Sequence, residues 1–209
     1  MPGPRTIREI EVKIPIADVP TLIGKLRKMG AVCHGRVFEE NTLYDTPKED
    51  FRRVGRLLRL RTETPAPAKG VAGGARKAVF TSKALAPGSR SRYKERLERE
   101  VIVRSAGKWP ATLRALGFRP GFRYEKYRTT FRRRGLHLDL DETPIGTYLE
   151  LEGPRRAIDR AARALGFSPR DYIRSTYWDL FQAACRSRSR APKNMVFRAK
   201  KRPQAALLP

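Results

Sequence analysis

Cysteine is almost missing from this chain of 209 residues, with only Cys33 and Cys185 present. Two cysteines exclude a disulfide framework and a cysteine metal site. Histidine is as scarce: His34 and His137 stand alone in the sequence, and the absence of a His/Cys cluster argues against zinc. No run of about 18 apolar residues occurs, which excludes a helical membrane span. Met1-Pro2-Gly3-Pro4-Arg5 leads into a strand pattern rather than a signal peptide. The expected compartment is the cytoplasm, with no membrane partner. Acid is the remaining shortage: 21 Asp and Glu against 46 Lys and Arg leave a net charge of +25. Such an excess suits a polyanionic partner. Apolar content (40%) and aromatic content (9%) are ordinary, which excludes wholesale disorder. The length suffices for one large domain and would crowd two.

The cations are unevenly placed. From Arg186 to Pro209 there are eight Lys and Arg and no acid, leaving +17 on the body. We therefore expect a domain over 1–185 and a basic, disordered tail over 186–209, dispensable for chemistry and able to touch nucleic acid or polyphosphate weakly. Within the body, cations lie along strand patterns among carboxylates. A small polyphosphate fits that placement as well as a duplex does.

In Arg8-Glu9-Ile10-Glu11-Val12-Lys13-Ile14, charged and apolar residues alternate with the period of a β-strand. Asp18 can cap a helix to Met29, ended by Gly30 in the left-handed conformation. WPATLRALG (109–117) and AIDRAARALG (157–166) repeat that ending, each followed by Phe, which suggests a duplicated architecture. Further strands are expected over 37–45, 56–64, 76–85, 92–103, 123–133, 136–142 and 147–152, about eight in all, with an exposed loop over 65–74. A final helix is expected from Pro169 to Ala184, burying Tyr172, Ile173, Tyr177, Leu180 and Phe181.

The polar faces carry the chemistry. They present Glu9, Glu11 and Lys13; Arg59 and Arg61; Thr81 and Lys83; Lys94, Arg96, Glu98 and Glu100; Tyr124, Lys126 and Arg128; His137, Asp139 and Asp141; and Tyr148, Glu150 and Glu152. Two architectures account for them. An open sheet would leave these charges in bulk water. A closed antiparallel barrel would hold them inside, with helices covering its apolar outside. Cations dominate some strands and carboxylates others, which suits a pore with a cationic wall facing an acidic one. Arg forks and ammonium groups bind phosphate oxygens, and carboxylates hold the Mg²⁺ or Mn²⁺ that accompanies a triphosphate.

These pieces resemble the CYTH, or triphosphate tunnel metalloenzyme, superfamily, whose members include class IV adenylyl cyclases, thiamine triphosphatases and inorganic triphosphatases. The likeness runs in order through Glu9-x-Glu11-x-Lys13, Tyr44-Asp45, Arg59-x-Arg61, Thr81-x-Lys83, Arg96-x-Glu98-x-Glu100, Lys126-x-Arg128, Asp139-x-Asp141, Glu150-x-Glu152 and Arg174-Ser175-x-Tyr177. It implies an α+β fold: a closed eight-stranded antiparallel β-barrel with a charged lumen. It implies catalytic roles for Lys13, Glu11 and Glu150. It implies triphosphate binding by Lys13, Arg59, Arg61, Lys83, Arg96, Lys126, Arg128 and Arg174. It implies Mg²⁺ or Mn²⁺ held by Glu9, Glu11, Glu98, Glu100, Asp139, Glu150 and Glu152. The family commonly has a lysine where Arg174 stands.

Attack by metal-activated water would make a triphosphatase acting on tripolyphosphate, thiamine triphosphate or a nucleoside triphosphate. Attack by the ribose 3′-hydroxyl of ATP on its own α-phosphate would make a cyclase, releasing cyclic AMP and pyrophosphate. The same tunnel serves both, and we expect the triphosphatase. A non-enzymatic polyanion or RNA binder would account for the charge but not for the paired carboxylates. Oligomeric state is not encoded in these patterns.

Overall fold

The computed structural model describes residues 5–66, 75–88, 91–104, 106–186 and 192–198. Its strands are β1 (Ile7–Ile16), β2 (Val32–Asp45), β3 (Leu57–Pro65), β4 (Lys77–Leu85), β5 (Lys94–Val103), β6 (Arg119–Arg133), β7 (Leu136–Thr143) and β8 (Gly146–Glu152). Its helices are α1 (Val19–Lys28), the single turn α2 (Asp50–Arg53), α3 (Trp109–Ala115), α4 (Arg155–Leu165) and α5 (Tyr177–Cys185). The strands close into an antiparallel barrel in the order β1-β5-β4-β3-β2-β6-β7-β8. The charged face is inside, as expected.

The expected duplication is visible in the element order. Each half runs strand, helix and three further strands, β1, α1, β2 to β4 and then β5, α3, β6 to β8, except that the single turn α2 interrupts the first half between β2 and β3. The first strands of the halves pair with each other, as do β2 and β6. Both Leu-Gly-Phe helix ends are as read, with Gly117 at φ 87° and Gly166 at φ 91°, backbone that a side chain tolerates poorly.

The outward face of β1, β7 and β8 supplies Val12, Ile14, Leu138, Leu140, Leu149 and Leu151 to the main core. Against it pack Leu22, Ile23 and Leu26 of α1 and Ile158, Ala161, Ala162 and Leu165 of α4. Asp18 caps α1 by accepting from Thr21 N at 3.0 Å. Burying each of these leucines stabilises the fold by about 1.5–3 kcal/mol. A second cluster of Phe122, Tyr124, Tyr148, Tyr177, Phe181, Cys185 and Met195 closes one end of the barrel around α5.

Two expectations need correction. The final helix is not continuous from Pro169. Ser168 and Asp171 form a capping box around a short 3₁₀ turn at Pro169–Asp171, and Thr176 and Asp179 form another that starts α5 afresh. Between them the chain is extended, and Ile173 exchanges backbone hydrogen bonds with Lys13 at 2.8 and 3.2 Å. The segment after Arg186 is not wholly detached either. Residues 192–198 pack on β6, with Met195 only 1% exposed. The remainder of the expected tail, and most of the expected loop over 65–74, lie outside the described residues.

Candidate active site in the barrel lumen

Because the strand period is two, every second residue of each strand reaches the same enclosed space. The lumen holds a cavity of about 890 Å³ lined from all eight strands. Of the residues singled out in the sequence, Glu9, Glu11, Lys13, Arg59, Arg61, Lys83, Arg96, Glu98, Glu100, Lys126, Arg128, Asp139, Glu150 and Glu152 all line it. Arg174 does not: it is exposed and borders a smaller cavity of about 300 Å³ with Lys94, Arg96 and Thr176.

One part of the lumen joins β1, β4, β5 and β8. Lys83 Nζ lies 2.7 Å from Glu9 and 3.0 Å from Glu98, and Lys94 Nζ lies 2.6 Å from Glu11. Burial pushes the Glu11 carboxyl up, but Lys94, aided by Lys13 and Lys83, holds it down to about 2. Glu152 stands opposite Glu11 in register. Among the described residues it has no hydrogen bond or ion pair. Burial, with Glu9, Glu11 and Glu98 nearby, pushes its carboxyl up to about 8 against the pull of Lys83.

A second part joins β1, β6, β7 and β8. Lys13 Nζ sits 2.6 Å from Glu150, which Arg128 also grips. Arg128 reaches Asp139 at 2.9 Å and Asp141 at 2.7 Å, and Lys126 reaches Asp141 at 2.7 Å. Tyr177 donates to Asp141 at 2.7 Å, and burial together with the Asp141 and Glu150 carboxylates raises its phenol well above the ordinary range. Burial disfavours charge on Lys13, yet Glu150 and Glu11 outweigh it and hold the ammonium above its usual range.

The third part is the β3 wall. Arg59 donates to Tyr124 Oη at 3.3 Å and Thr81 Oγ1 at 3.2 Å, with Glu100 at 3.4 Å. Arg61 lies 3.4 Å from Glu100 and 3.6 Å from Glu39. Among the described residues, the Nε–H groups of both arginines are buried without a hydrogen-bond acceptor. Arg61 Nε is 3.0 Å from Glu63, close enough for charge pairing but badly aligned for a bond. Buried donors are nearly always satisfied, so both arginines keep donor capacity that no described residue takes up, as does the acceptor Asn41 Oδ1 on the adjacent β2.

The seven acids expected to hold a metal do not stand as one group. Glu150 is engaged by Lys13 and Arg128, so it belongs to the cationic cluster. Among the described residues no three His, Cys, Asp or Glu groups stand in a metal-ligating arrangement. The donor chemistry of Glu9, Glu11, Glu98 and Glu152 nevertheless fits a hard divalent cation. These are four carboxylates against the two ammonium groups of Lys83 and Lys94, with Glu152 unpartnered.

The sequence reading left Glu39, Glu63, Lys94, Asp141, Tyr124 and Tyr177 out of the site. Glu39 is 1% exposed, between Lys126 at 3.5 Å and Arg128 at 3.7 Å. Its signal was present, since Glu39, Asn41 and Leu43 alternate with Phe38, Glu40 and Thr42, but both faces of that strand carry glutamate. Asp141 and Tyr177 stood inside quoted motifs and Lys94 on a quoted polar face.

Residues 8–177 match the CYTH domain family. The chain belongs to that family. A candidate adenylate cyclase of Methanocaldococcus jannaschii is 24% identical over 183 residues, covering 82% of this chain and 97% of that protein. Among solved structures, a candidate adenylate cyclase of Vibrio parahaemolyticus superposes with TM-score 0.66 at 16% identity, covering 87% of this chain and 99% of that one. A Hippeastrum protein, described as a candidate adenylyl cyclase with a dominant triphosphatase activity, superposes with TM-score 0.55 at 19% identity, covering 84% and 95%. At these identities the structural likeness speaks for the fold. No helix among the described residues is long and apolar enough to cross a membrane.

Proposed function

We propose that this CYTH protein is a divalent-metal-dependent triphosphatase. The observation that carries the reading is the pair of buried Nε–H groups on Arg59 and Arg61, without a hydrogen-bond acceptor among the described residues, in a closed lumen that also presents Lys13, Lys83, Arg96, Lys126 and Arg128. A polyphosphate supplies the missing acceptors with the geometry a guanidinium fork prefers. Glu9, Glu11, Glu98 and Glu152 would hold Mg²⁺ or Mn²⁺, with Glu100 and Asp139 in reach of the same lumen. Bound there, the metal would neutralise phosphate charge and lower the pKa of a coordinated water.

The protein's own groups do the rest. Arg59 and Arg61 hold the phosphate chain against β3, while the Lys13 ammonium, kept protonated by Glu150 and Glu11, offers positive charge to oxygens that become more negative as the bond to the leaving phosphate breaks. Water adds to phosphorus, the bridging P–O bond cleaves, and the products are phosphate and the shortened chain. Arg96 donates to Gly55 O at 2.6 Å, so it fixes the β3 approach as well as lining the lumen. Arg174 has no place in this scheme except at the neighbouring cavity.

The names of the Methanocaldococcus and Vibrio relatives favour a second reading, class IV adenylyl cyclase, in which the 3′-hydroxyl of ATP displaces pyrophosphate. Incubating the protein with ATP, thiamine triphosphate and tripolyphosphate, each with Mg²⁺ or Mn²⁺, separates the two by product chromatography. Phosphate release supports the triphosphatase, and cyclic AMP with pyrophosphate supports the cyclase. Turnover of none of the three would leave a polyanion-binding module.

A further inference from the structure

The segment 192–198 lies along the part of β6 that extends past β7. β6 begins at Arg119, but its pairing with β7 starts only at Tyr127 opposite Glu142. On that edge the backbone groups of Arg123 and Glu125 face away from β2 and would lack partners. The segment supplies them. Asn194 Oδ1 accepts from Arg123 N at 2.9 Å, Met195 N donates to Arg123 O at 3.0 Å, and Glu125 N donates to Met195 O at 2.9 Å. Further on, Phe197 N donates to Glu125 Oε2 at 3.0 Å and its ring lies 5.7 Å from Tyr127.

Met195 is parallel-bridged to Tyr124 and packs in the cluster of Phe122, Tyr124, Tyr148, Tyr177, Phe181 and Cys185. The ring of Tyr124 lies 5.7 Å from Phe122 and 5.9 Å from Tyr177, and its hydroxyl accepts from Arg59 Nη1. Arg59 is one of the two arginines whose buried Nε lacks an acceptor. The backbone bridge to Tyr124, the shared apolar cluster and the Tyr124–Arg59 hydrogen bond thus link this segment to a cation of the lumen. A thioether fills irregular gaps beside aromatic rings well, and its loss leaves a void in a tightly packed group.

We infer that Met195 is a positioning residue for the lumen: it seats Tyr124, and through the Tyr124 hydroxyl it fixes the guanidinium of Arg59 for the polyphosphate chain. The segment bearing it is part of the site's architecture, not an appendage. This rests on the triphosphate reading of the lumen.

The test is a double-mutant cycle in the full chain, reading tripolyphosphate affinity by calorimetry. Met195→Ala should weaken binding about tenfold, Met195→Leu should restore most of it, and the Met195→Ala change should cost little once Arg59→Ala is present. Asn194→Ala, which removes only the acceptor for Arg123 N, should weaken binding in the same direction and serves if Met195→Ala does not fold. Wild-type affinity in the Met195→Ala or Asn194→Ala protein, or a loss that adds in full to that of Arg59→Ala, overturns the inference alone. If Arg59→Ala binds tripolyphosphate as tightly as the wild type, or the wild type does not bind it, the triphosphate reading falls and takes this inference with it.

Discussion

Tyr177 donates its phenolic hydrogen to Asp141 at 2.7 Å, and the ring above that bond carries two ammonium groups, Lys13 Nζ at 4.6 Å and Lys126 Nζ at 5.1 Å from its centroid. One side chain therefore braces an acid and two cations of the lumen at once. Tyr177→Phe keeps the ring and both cation contacts but removes the hydrogen bond. We expect kcat/KM on tripolyphosphate to fall by about tenfold, the cost of one buried bond to a charged group. Tyr177→Ala removes the ring as well. It should lower stability by about 3–5 kcal/mol in addition. Steady-state kinetics and thermal melts of the two variants separate these effects, and equal kinetics for Tyr177→Phe and the wild type would refute the brace.

Arg59 and Arg61 share Glu100 as a neighbour, yet each keeps an unbonded Nε–H. Arg59→Ala and Arg61→Ala should therefore each weaken tripolyphosphate binding by about 1.5–3 kcal/mol, the range for hydrogen bonds to charged groups. Their effect on the metal-induced thermal shift of the free protein should be small, since neither side chain pairs with Glu9, Glu11 or Glu152. Calorimetric titration with tripolyphosphate, beside melts with and without Mn²⁺, reads both quantities. A variant that loses the metal shift but keeps polyphosphate affinity would reverse the assignment.

On the outside of β5, Glu95 accepts from Ser91, Arg8 and Arg155, fixing β5 to β1 and to α4. Burial pushes its carboxyl up, but the Ser91 hydroxyl and the two guanidinium groups hold it down to about 2, against 4.5 for the free group. A depressed folded-state pKa stabilises above the unfolded value and loses that stabilisation as pH falls through the folded one. The Glu95 contribution should thus be complete at neutral pH and disappear between about pH 5 and pH 2. Melts of the wild type and Glu95→Gln should differ most near pH 7 and converge as pH drops through that window. A gap that widens on acidification would contradict the sign.

Much of the barrel could be read from alternation, because a half-buried strand with a charged lumen obeys the same period as one with a wet face. What alternation could not distinguish was closure, which depends on pairing β1 with both β5 and β8, a long-range relationship. The Pro169–Ala184 helix was misread for a local reason: Tyr172 and Ile173 have suitable spacing, but the capping pairs Ser168/Asp171 and Thr176/Asp179 cut the segment into two starts. Met195 was hidden by its surroundings, a lone thioether among cations whose value lies in an unpaired edge of β6. Glu39 was hidden because glutamate at position 40 made both faces of its strand look polar. Individual lumen-lining residues were legible wherever a charged pair stood two apart on an otherwise apolar strand, as at Glu150 and Glu152.

The last prediction concerns Glu11, Glu150 and Glu152, three carboxylates with three different situations. Glu11 is held by Lys94, Glu150 by Lys13 and Arg128, and Glu152 by no hydrogen bond or ion pair among the described residues. Placing a divalent cation beside Glu152 and Glu11 relieves repulsion among four acids served by two lysines, so binding should stabilise the protein by an amount set by its affinity, about 2.7 kcal/mol at one hundred times Kd. Glu152→Gln removes an acid that burial and neighbouring carboxylates keep protonated near neutral pH and that a bound metal would ionise, so it should reduce the Mg²⁺- or Mn²⁺-induced thermal shift while leaving the Lys13–Glu150 pair in place. Glu150→Gln instead loosens Lys13 and Arg128, and Glu11→Gln frees the Lys94 ammonium beside the metal. Each of these two should cost about two orders of magnitude in kcat, the scale of losing one strong transition-state contact. Excess chelator should abolish turnover of the wild type, and added Mn²⁺ should restore it. Melts against metal concentration and rates for the three variants provide the measurement. Turnover that persists in chelator, or a full metal shift in Glu152→Gln together with near-wild-type rates for Glu11→Gln, would remove the metal from the mechanism.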